Sequence, residues 1–166
     1  MLTEKCPECG ATVAGGLYGC DTLFHEMGAQ AATDLRIARV HRLIVDAYCM
    51  QHVEQYGLSA KSYAAHLVGL CCGIEHDGNP VLYATIPRWL DGSVDLKKPE
   101  VLSFRGQMTI ADVQAVADVD QRAKCVGEWA RCVWDAYVVQ HTLAHEWVKL
   151  AFAVKDKKKK KRVKLW

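Results

Sequence analysis

Apolar residues recur at helical spacing along most of this chain. The densest case is Val40 to His52, V-H-R-L-I-V-D-A-Y-C-M-Q-H. At about 100° per residue, His41, Tyr48 and His52 share one stripe with the apolar Val45, so these polar groups are expected to face inward. Buried polar groups need partners, and a histidine often finds a metal. Asp46 projects from roughly the opposite side.

The flanking pattern predicts further helices. Asp21 or Thr22 caps a short helix through about Ala32. Thr33 or Asp34 caps a longer one through about Gln55, ended by Gly57. Ser59 caps a helix from Ala60 to about His76, and D-G-N-P at Asp77 to Pro80 is a strong turn. Residues 81–108 are the least regular, broken by Pro87 and punctuated by Pro99 and Gly106. A stretch of that length either covers a site or is pinned to the core through Trp89 and Phe104. T-I-A-D at Thr109 to Asp112 resembles a capping box and opens a short helix. A last helix is expected to run from Gln121 to the basic tail, with no proline to interrupt it. The fold class this implies is all-α, a four- to five-helix bundle.

The N-terminus adds chemistry. Residues 5–20 read K-C-P-E-C-G-A-T-V-A-G-G-L-Y-G-C. C-P-x-C-G is the turn of many zinc ribbons: the glycine permits a tight turn that aims backbone amides at the sulfurs, and thiolates bind Zn²⁺ well. Cys6, Cys9 and Cys20 supply three ligands, and a closed site needs a fourth. His25 is nearest in sequence, and Cys49 and His52 are alternatives. The two helices flanking Thr33 pack antiparallel, with the second expected to be longer. Its end then projects past the start of the first, beside the knuckle, which favours His52. The expected division is a zinc knuckle at 1–20, a helical bundle at 21–154 and a basic tail at 155–166.

A second metal site is a further expectation. His141 and His145 lie four residues apart, on one helical face at ligand-pair distance. His41 and His66 are the inward-facing candidates to join them, His41 being too far along its helix from His52 to share its ion.

Composition refines this picture only in places. A hydrophobic fraction of 51% and a charged fraction of 24% are ordinary for a globular domain. The first residues lack the apolar core of a signal peptide, so an intracellular, cytoplasmic location is expected. In a reducing compartment the eight cysteines are not a disulfide framework, and Cys49, Cys71, Cys72, Cys125 and Cys132 read as small buried hydrophobes. From Lys155 onward the tail carries eight basic residues against one acidic one, a net of +7. The whole chain is +2, so the preceding body carries −5. An acidic body argues against a folded nucleic-acid reader. The tail itself is expected to fray from its helix. It would bind nucleic acid or an anionic surface weakly, act as a nuclear import signal in a eukaryotic cell, or simply solubilise the chain. G-x-G-x-x-G, P-loop, G-x-S-x-G and H-E-x-x-H motifs are absent, which removes support for nucleotide binding and serine hydrolase chemistry.

The motifs together resemble an uncharacterised bacterial family, a domain of unknown function. The resemblance rests on C-P-E-C-G at Cys6 to Gly10, Cys20, H-x4-D-x-Y-x2-Q-H at His41 to His52, H-L at His66-Leu67 and W-A-x-x-V-W at Trp129 to Trp134. A proline usually follows the Q-H pair in that family, where this chain has Val53. The family brings no established activity. A weaker likeness is to the DinB/YfiT-like four-helix bundles, whose metal is held by one histidine on the second helix and H-x3-H on the last. That likeness implies His41, His141 and His145 as ligands.

The function expected is a zinc-binding helical protein acting as a non-catalytic module for an unknown protein or small-molecule partner. The alternative is a metal-dependent hydrolase or thiol transferase working at the bundle histidines.

Overall fold

The computed structural model describes the backbone of residues 2–163 and the side chains of residues 2–154. Two strands, β1 (Thr3–Lys5) and β2 (Thr12–Ala14), pair antiparallel with Thr3 opposite Ala14 and Lys5 opposite Thr12. The C-P-E-C-G turn joins them. Cys6 N donates to Ala11 O at 2.7 Å and Gly10 N to Cys6 O at 2.9 Å. Gly10 has φ +82°, the left-handed region where a side chain is costly. The chain is therefore mainly helical, with a small two-stranded hairpin at the N-terminal turn. Strands of three residues leave no alternating signal long enough to detect.

Helix α1 (Gly16–Thr33) starts five residues before Asp21. Cys20 is inside it, so a division at residue 20 falls within a helix. Gly19 explains the early start: a Cβ there would overlap the Ala14 carbonyl oxygen, and only glycine lets α1 lie this close to β2. Asp34 caps α2 (Leu35–Gln51) by accepting from Arg36 N. The two helices are thus about equal in length, and the second is not the longer. Its expected run to Gln55 is interrupted at His52 (φ −115°, ψ 54°), and the one-turn α3 (Val53–Tyr56) follows. Val53 occupies the first position of α3, the helical position that best tolerates proline.

As the sequence predicts, Ser59 caps α4 (Ala60–Glu75), and the structure adds a reciprocal bond from Ser62. Residues 80–90 are not irregular. They form α5 (Pro80–Leu90), with Pro80 at its start and the Asn79 side chain accepting from the Val81 and Leu82 amides. Pro87 is inside α5, where it removes one backbone donor without ending the helix. Trp89 anchors this segment at 2% exposure, but Phe104 is 57% exposed and pins nothing. The Thr109–Asp112 capping box opens α6 (Ile110–Ala115). Asp118 caps α7 (Val119–Ala136).

The last helix is also divided. A 3-10 turn at Val138–Gln140 separates α7 from α8 (His141–Val163). No proline or glycine marks this break, because tertiary bonds make it. Tyr137 Oη donates to Met50 O at 2.6 Å, and Gln140 accepts from Tyr63 Oη at 2.7 Å while donating to Glu100 O at 2.9 Å. Helix α8 extends through Val163 rather than ending near Val154; lysine is a good helix former. The side chains of the basic tail lie outside the described residues.

The central helix α2 packs against α1, α4 and α7, while α8 covers α4 and α5. At the α2–α4 crossing the fully buried Asp46 carboxylate bonds Arg42 Nε at 3.0 Å and His66 Nδ1 at 2.9 Å. A Cβ at Gly69 would overlap Asp46 Oδ2. Gly69→Ala is therefore expected to destabilise the fold by about 1–3 kcal/mol, the cost of overpacking. Urea unfolding measures this, and an unchanged midpoint would mean the crossing has room to spare.

Candidate metal centre

The hairpin turn, the first turns of α1 and the α2–α3 break meet at one point. Cys6, Cys9 and Cys20 converge there with His52, one ligand atom from each lying within 4.8 Å of all the others. Cys6 Sγ is 3.6 Å from His52 Nε2, and Cys9 Sγ is 3.6 Å from Cys20 Sγ. A tetrahedron with bonds of about 2.3 Å to sulfur and about 2.0 Å to nitrogen has edges of about 3.5–3.8 Å. The site is already near the size of a bound ion of that kind.

Each ligand is held from outside. His52 is fully buried, and its Nδ1 lies 3.0 Å from Tyr48 O. With the carbonyl as acceptor, Nδ1 carries the proton and the Nε2 lone pair faces the sulfurs. The ring is also the end of a stack: Phe24 lies 4.1 Å from Tyr48, and Tyr48 3.9 Å from His52. The turn itself is closed by the Gly10 amide on Cys6 O and the Cys6 amide on Ala11 O. The bond with Cys20 holds the Cys9 thiol down at about 4, while the same bond and burial push Cys20 up. Burial also pushes Cys6 up. Two thiolates 3.6 Å apart repel one another, and a cation is what would let all three sulfurs ionise together.

The alternative fourth ligands are elsewhere. The His25 side chain is 72% exposed and pairs with Asp21 at 3.4 Å. Cys49 is buried outside the group, and burial pushes its thiol up to about 12. Among the other cysteines, Cys71 and Cys72 are fully buried, whereas Cys132 Sγ accepts from the Gln107 and Met108 amides.

The four bundle histidines are not brought together among the described residues. His41 is exposed over a shallow pocket floored by Gly28, Ala31 and Ala32 of α1, residues too small to enclose it. His66 is bonded to Asp46. His141 stacks on Trp134 at 3.9 Å, with Nε2 2.9 Å from Trp134 O near the end of α7. His145 Nε2 is 2.6 Å from Glu75 Oε2. Helical phase identified a shared face but not what that face would meet. The break at Tyr137 also places the pair at the start of a new helix.

The second motif is explained by packing. Gln51 is fully buried between α2 and the 91–109 loop. Its Nε2 donates to Arg105 O at 3.1 Å and Met108 O at 2.8 Å, and its Oε1 accepts from Trp129 Nε1 at 2.9 Å. Arg105 reaches back to Gln51 O at 3.0 Å and to Glu8 of the knuckle at 3.3 Å. The sequence offered no signal for Glu8 or Arg105. A cleft of about 570 Å³ opens beside the centre, between residues 5–10 and 103–107.

Residues 4–138 match a family of unknown function, DUF5946. The chain belongs to that family. Its match covers all four residues of the centre, both sides of the Gln51–Trp129 bond and the Asp46–His66 pair. No curated protein and no solved structure matched the sequence. Among the described residues no helix is long and apolar enough to cross a membrane.

Proposed function

We propose that this protein is a zinc-dependent, non-catalytic binding module whose Cys6, Cys9, Cys20 and His52 hold one structural Zn²⁺. The observation that carries this is the convergence of three sulfurs and one oriented imidazole within 4.8 Å. Three thiolates with one neutral imidazole suit zinc, and four protein ligands leave no position for substrate or activated water. The ion would tie the hairpin to α1 and to the end of α2. The neighbouring cleft, whose walls Arg105 and Glu8 link, is the surface offered to a protein or small-molecule partner.

Metal analysis of the purified full chain tests this reading. About one zinc per chain is expected. It should resist mild chelation and leave only when the knuckle opens, because structural zinc is coupled to folding. Zinc that a mild chelator strips without any change in the near-ultraviolet signal of the Phe24–Tyr48 stack would contradict a structural role.

A further inference from the structure

A second mixed donor group stands at the far end of α4. Cys71 and Glu75 are four residues apart on α4 and share a face. His145 reaches them from α8, and one ligand atom from each of the three lies within 4.8 Å of the other two. Cys71 is fully buried, while the Glu75 and His145 side chains are 34% and 43% exposed. The group therefore has a dry floor and an open mouth.

Glu75 is held by a donor from outside the group. Trp134 Nε1 donates to Glu75 Oε1 at 3.0 Å, and the Trp134 ring is itself clamped by the His141 stack. That donor fixes the carboxylate while leaving Oε2 directed at His145 Nε2, 2.6 Å away. An outer-shell donor on the far oxygen is how metal-ligating carboxylates are oriented.

We propose that Cys71, Glu75 and His145 form a second metal site, a three-ligand site for a zinc-class divalent transition ion with its fourth position open to solvent. A thiolate, an imidazole and a carboxylate select Zn²⁺ or Co²⁺ over Mg²⁺ or Ca²⁺. On binding, the Cys71 thiol proton leaves to solvent, the proton held between His145 Nε2 and Glu75 Oε2 passes to the other ring nitrogen or to solvent, and their contact is exchanged for two metal bonds. Bonds of about 2.0–2.3 Å require ligand separations near 3.3–3.8 Å, so these two side chains part by about 1 Å. Both are exposed enough to do so by rotation. His145 lies beyond residue 138, where the family match ends, so the complete set depends on α8 of this chain. This site is weaker than the knuckle, since it has one ligand fewer and must displace a buried thiol proton. It stands whether or not the knuckle holds zinc.

Co²⁺ titration of the full chain, after mild chelation, tests the proposal, with zinc measured in the same samples. The expected result is one equivalent of Co²⁺ bound with a thiolate-to-cobalt charge-transfer band and no change in zinc content. Cys71→Ser should abolish that band. His145→Ala, at a partly exposed position, should weaken Co²⁺ binding by more than the about 10- to 100-fold typical for loss of an outer-shell partner. Trp134→Phe should weaken it within that range. Co²⁺ that binds without the band, a band that survives Cys71→Ser, or unchanged affinity in His145→Ala would overturn the assignment. So would the absence of any bound Co²⁺ at millimolar concentration.

Discussion

Cys9→Ser is expected to reduce bound zinc from about one per chain to almost none and to lower the melting temperature by about 8–16 °C. Zinc present at a thousand times its dissociation constant contributes about 4 kcal/mol to folding. At this chain length each kcal/mol is worth about 2–4 °C. Cys9 is the residue to remove because it stands in the turn and lies 3.6 Å from Cys20 of α1, so both the turn and α1 lose their anchor. Helix content should fall little, because the buried apolar residues of α2, α4 and α7, such as Ile44, Leu67 and Val133, keep one another covered. Metal analysis and thermal melts check this together. A Cys6→Ala/Cys9→Ala variant that retains stoichiometric zinc would show that the ion sits elsewhere.

Gln51→Leu should cost about 3–6 kcal/mol. The substitution leaves three partners unpaired: the buried Arg105 carbonyl and Trp129 indole N–H, and the partly buried Met108 carbonyl. Each such group costs about 1–3 kcal/mol when stranded without a partner. That is a large share of the 5–15 kcal/mol holding a typical domain together. Urea unfolding measures the loss, and proteolysis should cut the 91–109 loop faster as its tether goes. A change below about 1 kcal/mol would mean that water replaces the lost bonds and that the loop is not pinned by Gln51.

Much of the candidate centre was legible in the sequence because its determinants are local. C-P-x-C-G fixes a turn by a left-handed glycine and a ligand spacing, and both can be read without the fold. His52 needed one tertiary step, the antiparallel packing of two helices across a short turn. The step reached the right neighbourhood through wrong lengths. Helix α1 begins five residues early, at Gly16, and α2 ends four residues early, at Gln51, so the two ends meet without either projecting past the other.

What was not legible depended on partners distant in sequence. The break at Tyr137 is made by Met50, Tyr63 and Glu100, none of which is near it in the chain. His41 shares a stripe with Tyr48 and His52, but three small residues of α1 decide that it is left at the surface. His145 was read with His141 through their spacing, whereas its neighbours are Glu75 and Cys71 on another helix. Cys71 carried no signal of its own, since a buried cysteine in an apolar helix is usually a small hydrophobe. Pro87 misled in the opposite direction: Asn79 and Pro80 start α5 firmly enough for the helix to absorb it.

The most direct test of the account is zinc-edge X-ray absorption on the full chain. Three sulfurs at about 2.3 Å and one nitrogen at about 2.0–2.1 Å are predicted for the knuckle ion, with no oxygen in its coordination shell. The spectrum should be recorded after mild chelation, so that only the tightly held ion contributes. Fewer than three sulfurs, or a bound oxygen marking an open position, would contradict a closed structural centre at Cys6, Cys9, Cys20 and His52.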